Sequence, residues 1–141
     1  MIMQGIITKN SITTCIYTDE RRVKKLLIID DGRLLCFGLK RALHQDELEV
    51  DTAPSVNEAI TKLGSNEYDV CLVDIRFPDE NGFKVMKHVR DHWPDIKIIL
   101  MSANDITFYD NLPEIIDKAR ANGACHILCN CLLYTSDAAD E

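Results

Sequence analysis

Val70-Cys71-Leu72-Val73-Asp74 is an unbroken apolar run that ends on an acid, and Leu26-Leu27-Ile28-Ile29-Asp30-Asp31 is a second run of the same kind. A strand with one face in water alternates apolar and polar residues. A strand that is apolar throughout is covered on both faces, as in parallel sheets flanked by helices. If the two runs are neighbours in such a sheet, their carboxyl ends adjoin and Asp30, Asp31 and Asp74 converge on one crevice. Like charges held that close disfavour one another's ionisation, so the crevice demands a cation or a fixed positive group at neutral pH.

Working outward, strand-like and helix-like segments alternate from Val23 onward, the pattern of an α/β fold. The predicted strands are Leu26 to Asp30, Leu48 to Thr52, Val70 to Asp74, Ile96 to Ser102 and His126 to Leu128. Between them, apolar stripes predict four helices: Leu35, Leu39, Ala42 and Leu43; Val56, Ala59, Ile60 and Leu63; Phe83, Met86, Val89 and Trp93; and Leu112, Ile115, Ile116 and Ala119. Ser55 and Glu58 have capping-box spacing, and Gly64 is expected to end that helix in the left-handed conformation. Pro94 stops the third helix, and Asn122-Gly123 follows the fourth. Right-handed crossovers then limit the topology to a doubly wound five-stranded parallel sheet, and the flavodoxin-like order 2-1-3-4-5 makes the first and third strands neighbours, with the acidic crevice at the switch point.

Composition sets the bounds. The 141 residues suit one domain, 46% hydrophobic and 28% charged, with a net charge of −7 that argues against direct nucleic-acid contact. No run approaches the roughly 18 to 20 apolar residues of a membrane span, and the first stretch lacks the pattern of a signal peptide, so a cytoplasmic protein with no membrane contact is expected. Six cysteines fit that compartment without a disulfide framework, because three of them fall within apolar strand or helix patterns as buried thiols. The cluster Cys125-His126-x-x-Cys129-x-Cys131 lacks the paired spacing of a zinc site and is read in the same way.

Four motifs in order, LLIIDD, VCLVDIRFPDENGF, IILMSAN and GACHIL, resemble those of the receiver domains of bacterial two-component response regulators, over Val23 to about Asn130. The resemblance implies that Asp74 is the phosphoacceptor, attacking a phosphohistidine of a sensor histidine kinase or phosphotransfer protein. It implies that Asp30, Asp31, Asp74 and the backbone carbonyl of Arg76 hold Mg²⁺, and that Ser102 contacts the phosphoryl oxygens and moves on activation. Pro78 and Gly82 match the turn after the phosphoacceptor. Mg²⁺ takes hard oxygen ligands, and phosphoryl transfer needs positioning and charge neutralisation, so these residue types suit the chemistry.

The sequence departs from the family in several places. The family lysine at the end of the fifth strand, followed by proline, is replaced by Asn130 and Cys131, and asparagine carries no charge. The usual aromatic of that strand is Ile127, and the stretch NDITFYDNLPEII is longer than its family counterpart. CLLYTSDAADE, residues 131–141, resembles the translation of a transposon-type sequencing adapter. A lysine codon begins AA, and AA followed by the adapter's C reads as asparagine, so Asn130 is expected to be a junction codon, with the fifth helix and any effector domain lost. Residues 1–22 read either as upstream translation ahead of a start at Val23 or as a short native extension, leaving 23–130 as the receiver. Without a fifth helix, part of one sheet face is expected to be exposed and the chain unstable.

The function expected is a signalling switch, not an enzyme beyond Mg²⁺-dependent self-phosphorylation and autodephosphorylation. Two alternatives stand: a phosphate-independent pseudo-receiver interaction module, favoured if Asn130 is genuine, and an Mg²⁺-dependent aspartyl phosphohydrolase. The latter places a second acid two residues after its nucleophile, where this chain has Arg76.

Overall fold

The computed structural model describes residues 2–5, 9–16, 24–30, 38, 40–43, 48–74, 80–102 and 112–130. In chain order these form β1 (Ile2–Gly5), α1 (Lys9–Ile16), β2 (Lys25–Ile29), β3 (Glu49–Ala53), α2 (Val56–Ser65), β4 (Val70–Asp74), α3 (Glu80–His92), β5 (Lys97–Ser102), α4 (Leu112–Ala121) and β6 (Ala124–Asn130). Residues 38 and 40–43 are helical as well.

The strands form one sheet in the order β1-β6-β5-β4-β2-β3, every pair parallel. The five strands predicted from Val23 onward keep their predicted order. A sixth, β1, is added beside β6, with Ile2 opposite Ile127 and Gly5 opposite Asn130. No pattern announces it, because Ile2-Met3-Gln4-Gly5 is short and carries neither the helical nor the strand period.

Each central strand is buried on both sides, as its composition requires. In β2, Leu27 and Ile29 face a core shared with Ala59 and Leu63 of α2 and Met86 and Val89 of α3. Leu26 and Ile28, the alternate residues, face a second core with Leu43 and with Ile12, Cys15 and Ile16 of α1. The chain crosses the sheet in the same direction from β1 to β2 as from β2 to β3. Right-handed crossovers therefore put α1 and the helical residues around Leu43 on the same face.

This corrects one expectation: the face left without a fifth helix is covered by α1. Three local readings also change. Ala42 is exposed rather than part of a buried stripe. Gly64 does not end α2; the helix runs to Ser65, and Asn66, in extended conformation, caps it by donating its backbone N–H to Lys62 O. Cys125 is exposed, unlike the buried Cys15 and Cys71. Ile98 pairs with Ala124 but Ile99 with His126, so Cys125 is the extra residue of a β-bulge and leaves the core. The capping interaction at Ser55 forms as predicted, Glu58 N–H donating to Ser55 Oγ at 3.2 Å.

Candidate functional site

The candidate site is a row of strand ends. Leu26 pairs with Val70 and Ile29 with Val73, so one further step brings Asp30 beside Asp74, across the strand spacing of about 4.8 Å. Asp74 pairs with Met101, one residue before Ser102. Ser102 pairs with Cys129, one residue before Asn130. The sheet thus delivers Asp30, Asp74, Ser102 and Asn130 at the carboxyl ends of β2, β4, β5 and β6.

A clamp at the opposite end of the strands sets this register. Asp69 Oδ2 accepts from the backbone N–H groups of Lys24 and Lys25 at 2.8 and 3.0 Å. The Asp69 N–H donates to Lys25 O at 2.9 Å, and Asp69 O accepts from Lys97 N–H at 3.0 Å. One residue before β4 therefore ties β2, β4 and β5 together. Nothing in the sequence marks it out, since an acid between Tyr68 and Val70 looks like any loop carboxylate.

At the site end, the Asp30 N–H donates to Ala53 O at 3.1 Å, which holds the residue against β3. Asp30 is 3% exposed, so its carboxylate is held out of bulk water at the end of β2. Among the described residues, no three His, Cys, Asp or Glu side chains form a metal cluster. The donor that is described, a buried carboxylate oxygen on the strand next to Asp74, is of the hard type that Mg²⁺ takes, and it fits that ion. Asp31 and Arg76, expected to complete the set, lie outside the described residues, as does Pro78; so do the side chains of Asp74, Ser102, Asn130 and Gly82's neighbourhood at the start of α3. The thiol of Cys71, three residues before Asp74, is pushed up to about 12 by burial and is no rival nucleophile.

The profile of the response regulator receiver domain matches residues 26–122, from the first apolar residue of β2 to the turn before β6. The chain belongs to that family. This receiver is 37% identical over 109 residues to the transcriptional regulatory protein KdpE of Staphylococcus aureus, covering 69% of this chain and 47% of that protein. It is 31% identical over 106 residues to the two-component response regulator ORR21 of Oryza sativa subsp. indica, covering 74% of this chain and 14% of that protein. The receiver thus spans less than half the length of either relative. Among solved structures it is similar to response regulator TrrA of Thermotoga maritima in complex with Mg²⁺-BeF (28% identity, TM-score 0.60, 83% of this chain and 93% of that one). The chemotaxis protein CheY4 of Vibrio cholerae is similar too (25% identity, TM-score 0.64, 77% and 87%). The doubly wound parallel sheet read from the two acid-ended runs is the fold of these receivers.

Proposed function

We propose that this receiver is the phosphoacceptor switch of a two-component phosphorelay, with Asp74 as the residue that takes the phosphoryl group. The observation that carries the reading is the β2–β4 register, which sets the buried Asp30 beside Asp74, with Ser102 ending the next strand. A carboxylate oxygen of Asp74 attacks the phosphorus of a phosphohistidine on a sensor histidine kinase or phosphotransfer protein. The P–N bond breaks, its electron pair returns to the imidazole, and an acyl phosphate forms on Asp74. Asp30, Asp31, Asp74 and the Arg76 carbonyl would hold Mg²⁺, which supplies charge neutralisation for the phosphoryl oxygens when bound. Ser102 donates its hydroxyl to a phosphoryl oxygen, and its movement carries the signal to the neighbouring loop. The chain acts as a cytoplasmic signalling domain, and the greater length of its relatives supports an effector domain as its output partner.

If Asn130 is the genuine residue, it favours a second reading. With an amide where the family carries lysine, the site has one positive group fewer, which suits a module that binds its partner without phosphate.

Incubation with Mg²⁺ and acetyl phosphate, followed by intact-mass measurement, separates the two. The switch gains one labile phosphate that disappears in Asp74→Asn. No adduct under those conditions overturns the phosphoacceptor reading in favour of the binding module.

A further inference from the structure

Strand β1 and helix α1 precede the segment that matches the family, and they are built into its core. We propose that this β–α unit is an integral part of the domain, a cover docked on the face beneath it and recognised by Lys97 at its helix end. Three observations carry the proposal. β1 pairs along its whole length with β6, so β6 is an inner strand and not an edge. Ile12, Cys15 and Ile16 recur at the i, i+3, i+4 spacing of one helix face, and all three are fully buried against Leu26, Leu72, Ile99 and Leu128.

The third is a charge. Lys97 opens β5 and is 5% exposed, a place where an ammonium group is costly unless something answers it. Its Nζ lies 3.4 Å from the carbonyl oxygen of Ile16, the last residue of α1. The last carbonyls of a helix lack intrahelical donors and carry its negative end, so the cation and the helix terminus satisfy each other. A lysine at that strand position would be a misfit under an apolar cover, but under a helix end it is matched. At eight residues, rich in Ile and Thr, α1 would not persist in water by itself. It exists because it is docked.

The cysteines give the test. Iodoacetamide labelling of the full chain is followed residue by residue by peptide mass spectrometry, with rates normalised to the urea-unfolded chain. Cys15 on α1 should label at least about 100-fold more slowly than the exposed Cys125, with protection comparable to that of Cys71 in the sheet. Equal normalised rates for Cys15 and Cys125 overturn the proposal. Lys97→Met should raise Cys15 labelling about tenfold or more, and Lys97→Arg, which restores the cation, should recover much of the protection. Unchanged protection in Lys97→Met overturns the assignment of Lys97. Should that variant fail to fold, the comparison within the parent chain still decides whether α1 is docked.

Discussion

Asp69 and Lys25 are joined twice: Asp69 Oδ2 accepts from the Lys25 N–H at 3.0 Å, and the Asp69 N–H donates to Lys25 O at 2.9 Å. The carboxylate also takes the Lys24 N–H, so Asp69→Ala strands two backbone donors at the start of β2. Hydrogen bonds to a charged acceptor are the stronger kind, and a loss of about 1–3 kcal/mol is expected. Urea unfolding measures it. The clamp sits at the far end of the strands from Asp30 and Asp74, so Asp69→Ala should lower the urea midpoint while phosphate incorporation at low urea stays close to that of the parent.

Asp30→Asn addresses the site itself. It keeps the shape of a residue that is 3% exposed and removes its charge. With one carboxylate fewer, the Mg²⁺ concentration giving half-maximal phosphate incorporation from acetyl phosphate should rise about tenfold or more. Relief of like-charge repulsion leaves stability the same or higher in the absence of Mg²⁺. An unchanged magnesium requirement with intact folding would remove Asp30 from the proposed ligand set.

These two acids also show what could be read in advance. Leu26 to Ile29 and Val70 to Val73 are apolar on both faces, and that pattern implied covered parallel strands and hence adjoining acid ends. Asp30 beside Asp74 followed from it. What locks the register, Asp69, was invisible, because its partners are backbone groups 44 and 45 residues away. Ser55 and Glu58 were legible because a cap is a local matter. Gly64 was misread because Asn66, two residues on, supplies a stronger stop: both its backbone N–H and its Nδ2 donate to Lys62 O. Residues 2–5 and 9–16 were opaque for a different reason. Their propensities are poor, and the cover they form depends on Lys97 and Leu128, far along the chain.

Two glycines should answer substitution by alanine with opposite signs. Gly123 has φ +100°, and a Cβ there would lie 3.2–3.3 Å from the methylenes of Arg90, whose guanidinium donates to the Ala121 carbonyl at the end of α4. Gly123→Ala combines left-handed strain with pressure on that cap and should destabilise by about 1–3 kcal/mol. Gly64 lies inside α2 with nothing within 4 Å of an added Cβ. Gly64→Ala should stabilise by about 0.5–1 kcal/mol through reduced backbone entropy in the unfolded chain. Thermal melts of the two variants against the parent check the pair, and a shift of the same sign in both would contradict it.

Tyr68→Phe makes the pH dependence of stability readable. Tyr68 Oη donates to Asp51 Oδ2 at 2.7 Å, and the ring is buried beneath Lys25. Burial works to raise the Asp51 carboxyl, but the Tyr68 hydrogen bond and the charges of Lys62, Lys25 and Lys40 outweigh it, and the group ends below its ordinary value. A carboxyl lowered in the folded state contributes stability that is present above its unfolded pKa, about 3.9, and is lost as pH falls through the folded value. The tyrosine runs the other way. Burial and the same hydrogen bond raise its pKa, so its contribution holds below the ordinary phenol pKa of about 10 and is lost as pH climbs through the raised value. Phenylalanine keeps the ring and removes the hydroxyl, so the parent should exceed Tyr68→Phe by about 1–2 kcal/mol at pH 7. The gap should narrow as pH drops below 3.9, because a protonated Asp51 no longer offers a charged acceptor. Urea melts of both proteins at pH 7 and in acid measure it as a difference, which cancels the titration of carboxylates the two share. A gap that stays constant into acid would mean that the hydroxyl contributes through packing and not through the charge on Asp51.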